Sequence, residues 1–354
     1  MTIGAEDEDY WTDLPEPSVQ NGDAASAPAL NVHTVEEVEH FSAQLGVAEP
    51  LSVPSALREA LFGQADVIDG RAILPLRTYA VLDAGKVPGL PEMLDDSRLD
   101  HACLFQGAAG EELRDVAPYL VRVEEEDRFT RRLFTKGDAP WDMWDKEPGI
   151  FLRSQASLNE LREHLRQFTK VQDETGSWLY FRFWEPCIFA GYVDEAGPAY
   201  LAGLFSSRSA IISSSLYFAS GRWRIASMDP SEVTPRAAVD VGAVARIATN
   251  LVADRELASL RNRQALTQTS VPPDHWAKLA RSIVATMHRL GFRSRYHLRY
   301  FIAWSITYGS ELDGITQEVN AVLHDRTKST EIRFQIISEL IRNRLGRRLG
   351  ALFG

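Results

Sequence analysis

Hydrophobic positions in the middle of the chain alternate between two periods, one typical of strands and one typical of helices. Short apolar runs bounded by Gly, Pro or Asp occupy 79–82, 102–105, 119–123 and 150–152. Apolar runs of this length between turn-forming residues predict β-strands.

A helix is predicted between these strands by a different spacing. Leu158, Leu161 and Leu165 recur at i, i+3 and i+7 and therefore lie on one face of a helix. Ser157 precedes the first of them and Glu160 follows three residues later, which is the sequence of a capping box. We therefore expect this helix to begin at Ser157.

Two later segments complete a strand-rich region. Residues 178–184 form an aromatic run that predicts a strand, and 211–218 and 223–228 predict a hairpin around Ser220-Gly221. Strands interleaved with helices predict an α/β domain, with a mixed sheet and flanking helices, over 55–235.

The N-terminal residues differ in composition. Residues 1–32 are rich in Asp, Glu, Pro, Ala, Ser and Gly and hold too few apolar side chains to offset the entropy lost on ordering. We expect 1–54 to be an acidic, largely disordered segment, with a short helix over 34–45. A second short helix is predicted at Ser55, which follows Pro54.

Beyond residue 235 the pattern becomes helical throughout, which predicts an all-α C-terminal lobe over 236–354. The segment 295–308 carries apolar or aromatic residues on two faces, so it is expected at the centre of a helical bundle. The five predicted helices are 237–266, 273–290, 295–308, 314–325 and 329–346.

Charge is distributed unevenly along the 354 residues. The formal net charge is −11. Residues 1–72 hold 14 acidic and 2 basic side chains, whereas 246–354 hold 17 basic and 9 acidic ones. An acidic chain is a poor ligand for nucleic acid unless its basic end acts alone.

Composition makes several other classes of protein improbable. No apolar run approaches the roughly 18 residues that a membrane span needs, and the N-terminus lacks the pattern of a secretory signal. Two cysteines, Cys103 and Cys187, are too few for a disulfide framework or an unaided zinc site. We therefore expect a cytoplasmic protein that uses no metal or cofactor and binds no membrane.

Familiar catalytic motifs are missing from the chain. It contains no G-x-G-x-x-G, no P-loop, no H-E-x-x-H and no G-x-S-x-G motif. A hydrolase with a Ser or Cys nucleophile remains an alternative, because catalytic groups are brought together by geometry rather than by order in the sequence. Its candidates are Cys103 beside His101 and the serine-rich stretch of Ser206, Ser207, Ser209, Ser213, Ser214 and Ser215. We nevertheless expect no catalytic residue.

Two groups of charged and aromatic residues are candidates for contacts with a partner. Arg182 and Trp184 share one side of the predicted strand, and Arg182 can pair with Glu185 or with Asp83. These residues either form a structural ion pair or bind a partner.

The second group is the basic helical end, where Arg293, Arg295 and Arg299 alternate with Tyr296 and Tyr300. Arginine interleaved with tyrosine is what a nucleic-acid groove uses, so nucleic-acid binding is a further alternative. A solvated helix surface, or one that faces an acidic partner, is the reading we favour.

Six short motifs in a particular order carry a family resemblance. The series resembles the domain of type VI secretion effector chaperones, also called adaptors, of the Tap/Tec type, and it covers residues 55–230. The motifs are 76–84 (LRTYAVLDA), 103–107 (CLFQG), 116–121 (VAPYLV), 149–154 (GIFLRS), 158–166 (LNELREHLR) and 180–186 (YFRFWEP).

The resemblance implies a non-enzymatic cytoplasmic chaperone. Such proteins bind a toxic effector and help to load it onto the VgrG spike, often through a PAAR-type protein, without being secreted themselves. By the resemblance, the partners expected for this chain are a cognate effector, VgrG and possibly a PAAR-type protein, and not nucleic acid or membrane.

The chain departs from the family pattern at one motif. The family usually has Asp and Arg where this sequence has Glu185 and Cys187, so the carboxylate is kept but a positive charge is lost. Tryptophan and arginine often dominate protein interfaces. The residues expected to contact a partner are Trp141, Trp144, Arg182, Trp184, Glu185, Arg293, Arg295 and Arg299.

Overall fold

A computed structural model describes residues 30–42, 51–64, 75–172, 178–207, 210–228 and 236–345, the last range with gaps at 237, 263–265 and 267–268. The chain divides into two compact units, one ending at Val244 and the other beginning at Ala245. They are called here the sheet unit and the helical lobe.

Nine strands are described in the sheet unit. They are β1 Leu30–Val35, β2 Arg77–Asp83, β3 His101–Cys103, β4 Pro118–Val123, β5 Gly149–Ser154, β6 Lys170–Gln172, β7 Trp178–Tyr180, β8 Ile212–Ala219 and β9 Arg222–Met228. Seven of them form one sheet in the order β1-β9-β8-β5-β2-β4-β3, and β6 pairs with β7 in a separate ribbon. Every ladder between these strands is antiparallel.

Helices cover both faces of the seven-stranded sheet. They are α1 Ser55–Phe62, α2 Leu90–Ser97, α3 Ala108–Glu112, α4 Arg128–Leu133, α5 Leu158–Arg166, α6 Pro186–Glu195 and α7 Pro198–Phe205. Short 3₁₀ turns occur at Arg114–Val116 and Trp144–Lys146. Apolar residues of α1, α2 and α4 share one core with Ala80 and Leu82 of β2, whereas α5, α6 and α7 pack on the opposite face. All six residues of β5 are buried, as expected of a strand covered on both sides.

Local sequence accounts for several of these elements. Ser157 accepts a hydrogen bond from the backbone of Glu160, and the Glu160 side chain accepts one in return, which completes the predicted capping box of α5. Ser220 and Gly221 both have positive φ angles, 53° and 79°, as the tight turn between β8 and β9 requires. Gly149 is needed because a Cβ there would lie 1.8 Å from the carbonyl oxygen of Val81.

Five α-helices are described in the helical lobe, and they pack around one apolar core. They are α8 Val241–Asn262, which crosses the boundary between the units, α9 Trp276–Arg289, α10 Arg295–Tyr308, α11 Thr316–His324 and α12 Thr330–Leu345, with 3₁₀ segments at Pro273–His275 and Gly309–Ile315. Ten of the fourteen residues of α10 are buried, so the predicted central position of this helix is confirmed.

The predicted fold class is confirmed, since a sheet with flanking helices precedes an all-helical region. It differs in detail from the expected mixed sheet, because the described ladders are antiparallel. Within the aromatic run 178–184 only β7 is a strand. The chain then turns so that Pro186 occupies the first turn of α6, a position where its missing N–H costs nothing.

The N-terminal segment 1–54, expected to be largely disordered with a helix over 34–45, instead contributes a strand to the sheet in its described part. Residues 1–29 and 43–50 lie outside the described residues, but Leu30–Val35 is a strand that pairs with β9. The helix predicted over 34–45 is wrong, because 34–35 belong to that strand and 36–40 form no helix. The missed signal is the alternation of Leu30 and Val32 with Asn31 and His33, which is the period of a strand.

Candidate functional site

A fully buried carboxylate organises the end of β2. Asp83 is 0% exposed, and its Oδ2 accepts hydrogen bonds from Arg182 Nη2 at 2.5 Å and from Trp184 Nε1 at 3.2 Å. Its Oδ1 accepts from the backbone N–H of Gly85 at 2.9 Å. A carboxylate can be buried when donors satisfy both of its oxygens, as they do here. Asp83, Arg182, Trp184 and Glu185 are called the Asp83 hub.

Arg182 links this buried carboxylate to the start of α6. Its Nε lies 2.6 Å from Glu185, so the guanidinium pairs with both of the carboxylates that the sequence offered. Burial lowers the pKa of Arg182, but its hydrogen bond to Asp83 and the negative charges of Glu185 and Asp83 outweigh burial and raise it overall. The Arg182 side chain is still 45% exposed, so it also remains accessible to a partner.

The tryptophans proposed as partner contacts fall into different environments. Trp184 is only 2% exposed and its indole nitrogen donates to Asp83, so in this structure it is a buried part of the hub and presents no surface to a partner. Trp144 packs against Phe218 and Trp223 in the sheet core and is partly buried. Trp141 is 47% exposed, with the Arg132 guanidinium 5.6 Å from its ring.

An open groove lies beside the hub. Its volume is about 510 Å³, and it is bordered by the loop after β3, the C-terminal end of α5 and the β6–β7 ribbon. Among its lining residues are Phe105, Arg166, Lys170, Trp178 and Tyr180, which are called here the aromatic groove. The Phe105 ring contacts both Tyr180, at 5.5 Å between centroids, and Trp184, at 6.3 Å. One aromatic chain therefore connects the groove to the hub.

The three arginines proposed in the helical lobe are all tied to other parts of that lobe. Arg295 Nε lies 2.5 Å from Glu256 Oε1, and Arg299 Nη2 lies 2.7 Å from Glu256 Oε2. Glu256 is 0% exposed. Arg293 instead donates to the backbone carbonyl of His288 at 2.8 Å. We call Glu256, Arg295 and Arg299 the Glu256 cluster.

Glu256 was not identified from the sequence, although a signal exists. It stands on α8 between Ala253, Leu257 and Leu260, which are buried and recur at helical spacing. A lone carboxylate on an apolar helix face needs a partner, and two arginines supply one. Asp83 was weighed only as one possible partner of Arg182, and its complete burial was not foreseen.

Two of the candidate nucleophiles, Cys103 and Ser215, lie in environments that do not activate them. Burial raises the pKa of the Cys103 thiol, the opposite of what a reactive thiolate requires. His101 Nδ1 donates to the carbonyl of Leu99. Ser215 is 0% exposed and donates to the carbonyl of Ala226, and Ser209 lies outside the described residues.

The described residues contain no group of three or more His, Cys, Asp or Glu side chains placed to hold a metal ion. None of the helices in the described part of the chain is both long and apolar enough to cross a membrane.

One comparison with known proteins gives a match. A family model described as "Domain of unknown function (DUF4123)" matches residues 78–202, which begin in β2 and end in α7. No curated protein and no solved structure matches the chain. The Asp83 hub and the aromatic groove both lie inside the matched segment.

Proposed function

We propose that this protein is a cytoplasmic chaperone, or adaptor, that binds a type VI secretion effector and helps to load it onto the VgrG spike, in some cases through a PAAR-type protein. The proposal rests on the series of six motifs at 76–186, which coincides closely with the segment matched by the family model. It assigns the chain a binding role and no catalytic residue.

The observation that supports the proposal most is the meeting of two distant motifs at Asp83. The motif at 76–84 supplies Asp83, and the motif at 180–186 supplies Arg182, Trp184 and Glu185. Arg182 and Trp184, which follow Asp83 by 99 and 101 residues, thus depend on it for their hydrogen bonds, and the buried Asp83 carboxylate depends on them. This accounts physically for the presence of both motifs in one domain.

Geometry beside the hub suits the binding of a protein better than the binding of a small substrate. The aromatic groove is open, and Trp178 and Tyr180 are 66% and 48% exposed. Exposed tryptophan and tyrosine next to arginine are the side chains that carry most of the binding energy in protein interfaces.

Native affinity capture tests the proposal. The tagged full-length chain is expressed in cells that carry the neighbouring effector and spike genes, and the retained proteins are identified by mass spectrometry after nuclease treatment. We expect the effector, VgrG or both to be recovered above the level given by an unrelated tagged protein. Recovery of neither protein under native conditions would reject the proposed function.

A further inference from the structure

The aromatic groove presents apolar surface that the fold itself does not cover. Trp178 and Tyr180 are separated by one residue in β7, so their side chains lie on the same face of the ribbon. Both line the groove, and their exposed fractions of 66% and 48% are among the largest for hydrophobic side chains in the described part of the chain. Large exposed aromatic side chains beside a groove mark an interaction site.

Positive charge lines the same groove. Lys170 Nζ lies 5.2 Å from the centroid of the Tyr180 ring, which keeps the ammonium beside the aromatic surface. Arg166 ends α5 and forms no ion pair within the residues that the structure describes. The only carboxylate among the groove's described lining residues is Glu163.

A second arginine reinforces this positive charge. Arg162 stands one helical turn before Arg166 and donates through Nε to the carbonyl of Cys103 at 2.9 Å. Residues four apart on a helix are neighbours on its surface, so the like charges of Arg162 and Arg166 repel one another. Burial lowers the pKa of Arg166 and the positive charge of Arg162 lowers it further, whereas the electrostatic interactions with Cys103 and Glu163 act in the opposite direction. A negative charge arriving in the groove would reduce the repulsion between the two arginines.

We propose that the aromatic groove binds an extended acidic segment of a partner protein. In this arrangement an apolar side chain of the segment lies against Trp178 and Tyr180, while carboxylates on either side of it reach Arg166 and Lys170. The inference deepens the proposed function, on which it rests for the identity of the partner, by naming the chemistry of the segment that the chaperone recognises.

An acidic peptide fits the groove better than single-stranded nucleic acid, which also stacks on aromatic rings. A nucleic-acid groove neutralises a row of phosphates with several cations. Among the lining residues that the structure describes there are two cations and one carboxylate, Glu163, in a chain of net charge −11. This balance suits a segment with a few separated carboxylates.

Fluorescence anisotropy with the full-length protein tests the inference. The probe is a short labelled peptide in which glutamates alternate with leucines around one tryptophan. Two reference probes are the same peptide with every glutamate replaced by glutamine, and a labelled oligothymidylate. We expect the acidic peptide to bind about tenfold more tightly than its glutamine counterpart, and its affinity to fall as salt is added.

Variants assign the binding to the groove. Trp178→Ala and the double variant Arg166→Glu/Lys170→Glu should each weaken binding of the acidic peptide about tenfold or more, because exposed aromatic and arginine side chains dominate such sites. The matched controls are Ile211→Ala, which removes a side chain that is 54% exposed, and Arg222→Glu, which alters an exposed residue at the start of β9. Both controls lie outside the groove and should bind the peptide as the unaltered protein does.

The outcomes separate this inference from the proposed function. If the peptide binds equally well to the groove variants, or if oligothymidylate binds more tightly than the acidic peptide, the inference is overturned even when native capture recovers the effector. If capture recovers neither effector nor spike while the peptide still binds through the groove, the inference stands and the proposed function fails.

Discussion

The basic cluster of the helical lobe and the aromatic groove of the sheet unit both combine arginine with aromatic side chains, but they differ in what holds their cations. Arg295 and Arg299 share the buried carboxylate of Glu256. Arg166 of the groove forms no such pair among the described residues, and Lys170 lies over an aromatic ring. The charges of Arg295 and Arg299 are thus balanced inside the lobe, whereas those of Arg166 and Lys170 face an open groove.

This difference shows that a count of basic residues does not reveal which of their charges are already paired within the fold. The excess of basic residues over 246–354 drew attention to Arg293, Arg295 and Arg299, yet two of them neutralise an internal charge. Arg166 and Lys170 belong to a region with no net basic character. Arg295 and Arg299 have a buried carboxylate partner inside the lobe, whereas Arg166 forms no ion pair among the residues that the structure describes.

Among the changes considered, removing the carboxylate of the Glu256 cluster should lower the stability of the protein most. Glu256→Ala leaves Arg299, whose side chain is 16% exposed, without its counter-charge. We expect the free energy of unfolding to fall by about 3–5 kcal/mol, measured by urea denaturation. Glu339→Ala, which alters an exposed carboxylate of the same lobe, is the control and should change it by less than about 0.5 kcal/mol. Similar losses in the two variants would show that the cluster is not structural.

A conservative change in the Asp83 hub should also lower the free energy of unfolding, but by less than the loss of Glu256. Asp83→Asn keeps an oxygen that can accept from Trp184 but loses the charge that pairs with Arg182. We expect a loss of about 2 kcal/mol in the free energy of unfolding. Asp95→Asn is the control, because this carboxylate is 61% exposed and its pair with Arg114 is a surface pair. The account of the hub is contradicted if both variants are equally stable.

The pH dependence of stability reports on His164, which lies on the buried face of α5, away from the groove. His164 is 2% exposed, Nε2 donates to the carbonyl of Leu204 at 2.7 Å, and Nδ1 has no partner among the described residues. Burial lowers the pKa of His164, so the unfolded chain takes up a proton at higher pH than the folded one. Stability is therefore fully present above the unfolded pKa of about 6.5 and declines as the pH falls below it.

The His164 contribution is measured as a difference between two proteins. We expect the unfolding free energy of the unaltered protein to fall between pH 7.5 and 5 by about 1 kcal/mol more than that of His164→Gln, which keeps a donor for the Leu204 carbonyl. Parallel pH profiles of the two proteins would show that His164 is not buried in its neutral form.

The smallest effect is expected at Arg293, which, unlike the other two proposed contact arginines of the lobe, is not bound to Glu256. Arg293 is exposed and donates to the His288 carbonyl at the end of α9. If an acidic partner approaches this face, Arg293→Glu should slow its association about two- to threefold at low salt, and the difference should vanish at high salt. An association rate that is unchanged at low salt would show that this face is solvated surface only.

The sequence was informative where one local pattern decided the structure. The leucines at 158, 161 and 165 with the Ser157 capping box located α5, and Ser220-Gly221 located the hairpin. It was misleading where a long-range contact decided the outcome. The aromatic run 178–184 leaves the strand because Arg182 and Trp184 turn inward to Asp83, 99 and 101 residues earlier in the chain. Strand β1 depends on β9, which is nearly 200 residues away.

The candidate site was only partly predictable, because some of its contacts follow from local sequence and others from distant parts of the chain. The sequence indicated Asp83 and Glu185 as possible partners of Arg182, because opposite charges in neighbouring strands and turns attract. The aromatic groove could not be located, because its wall joins the loop after β3, the end of α5 and the β6–β7 ribbon. Trp178 and Trp184 both belong to the aromatic run 178–184, and nothing in the local sequence indicates that the first is 66% exposed and the second 2% exposed.

The dissociation constant of the captured effector tests the central claim most directly, because it asks whether Arg166 and Lys170 of the groove, rather than the arginines of the Glu256 cluster, face the partner. We predict that Arg166→Glu/Lys170→Glu raises the Kd about tenfold or more, whereas its melting temperature stays within about 2 °C of that of the unaltered protein. Arg222→Glu should leave both quantities unchanged. An unchanged Kd for the double variant, or a loss of binding that appears only with a lower melting temperature, would contradict the account.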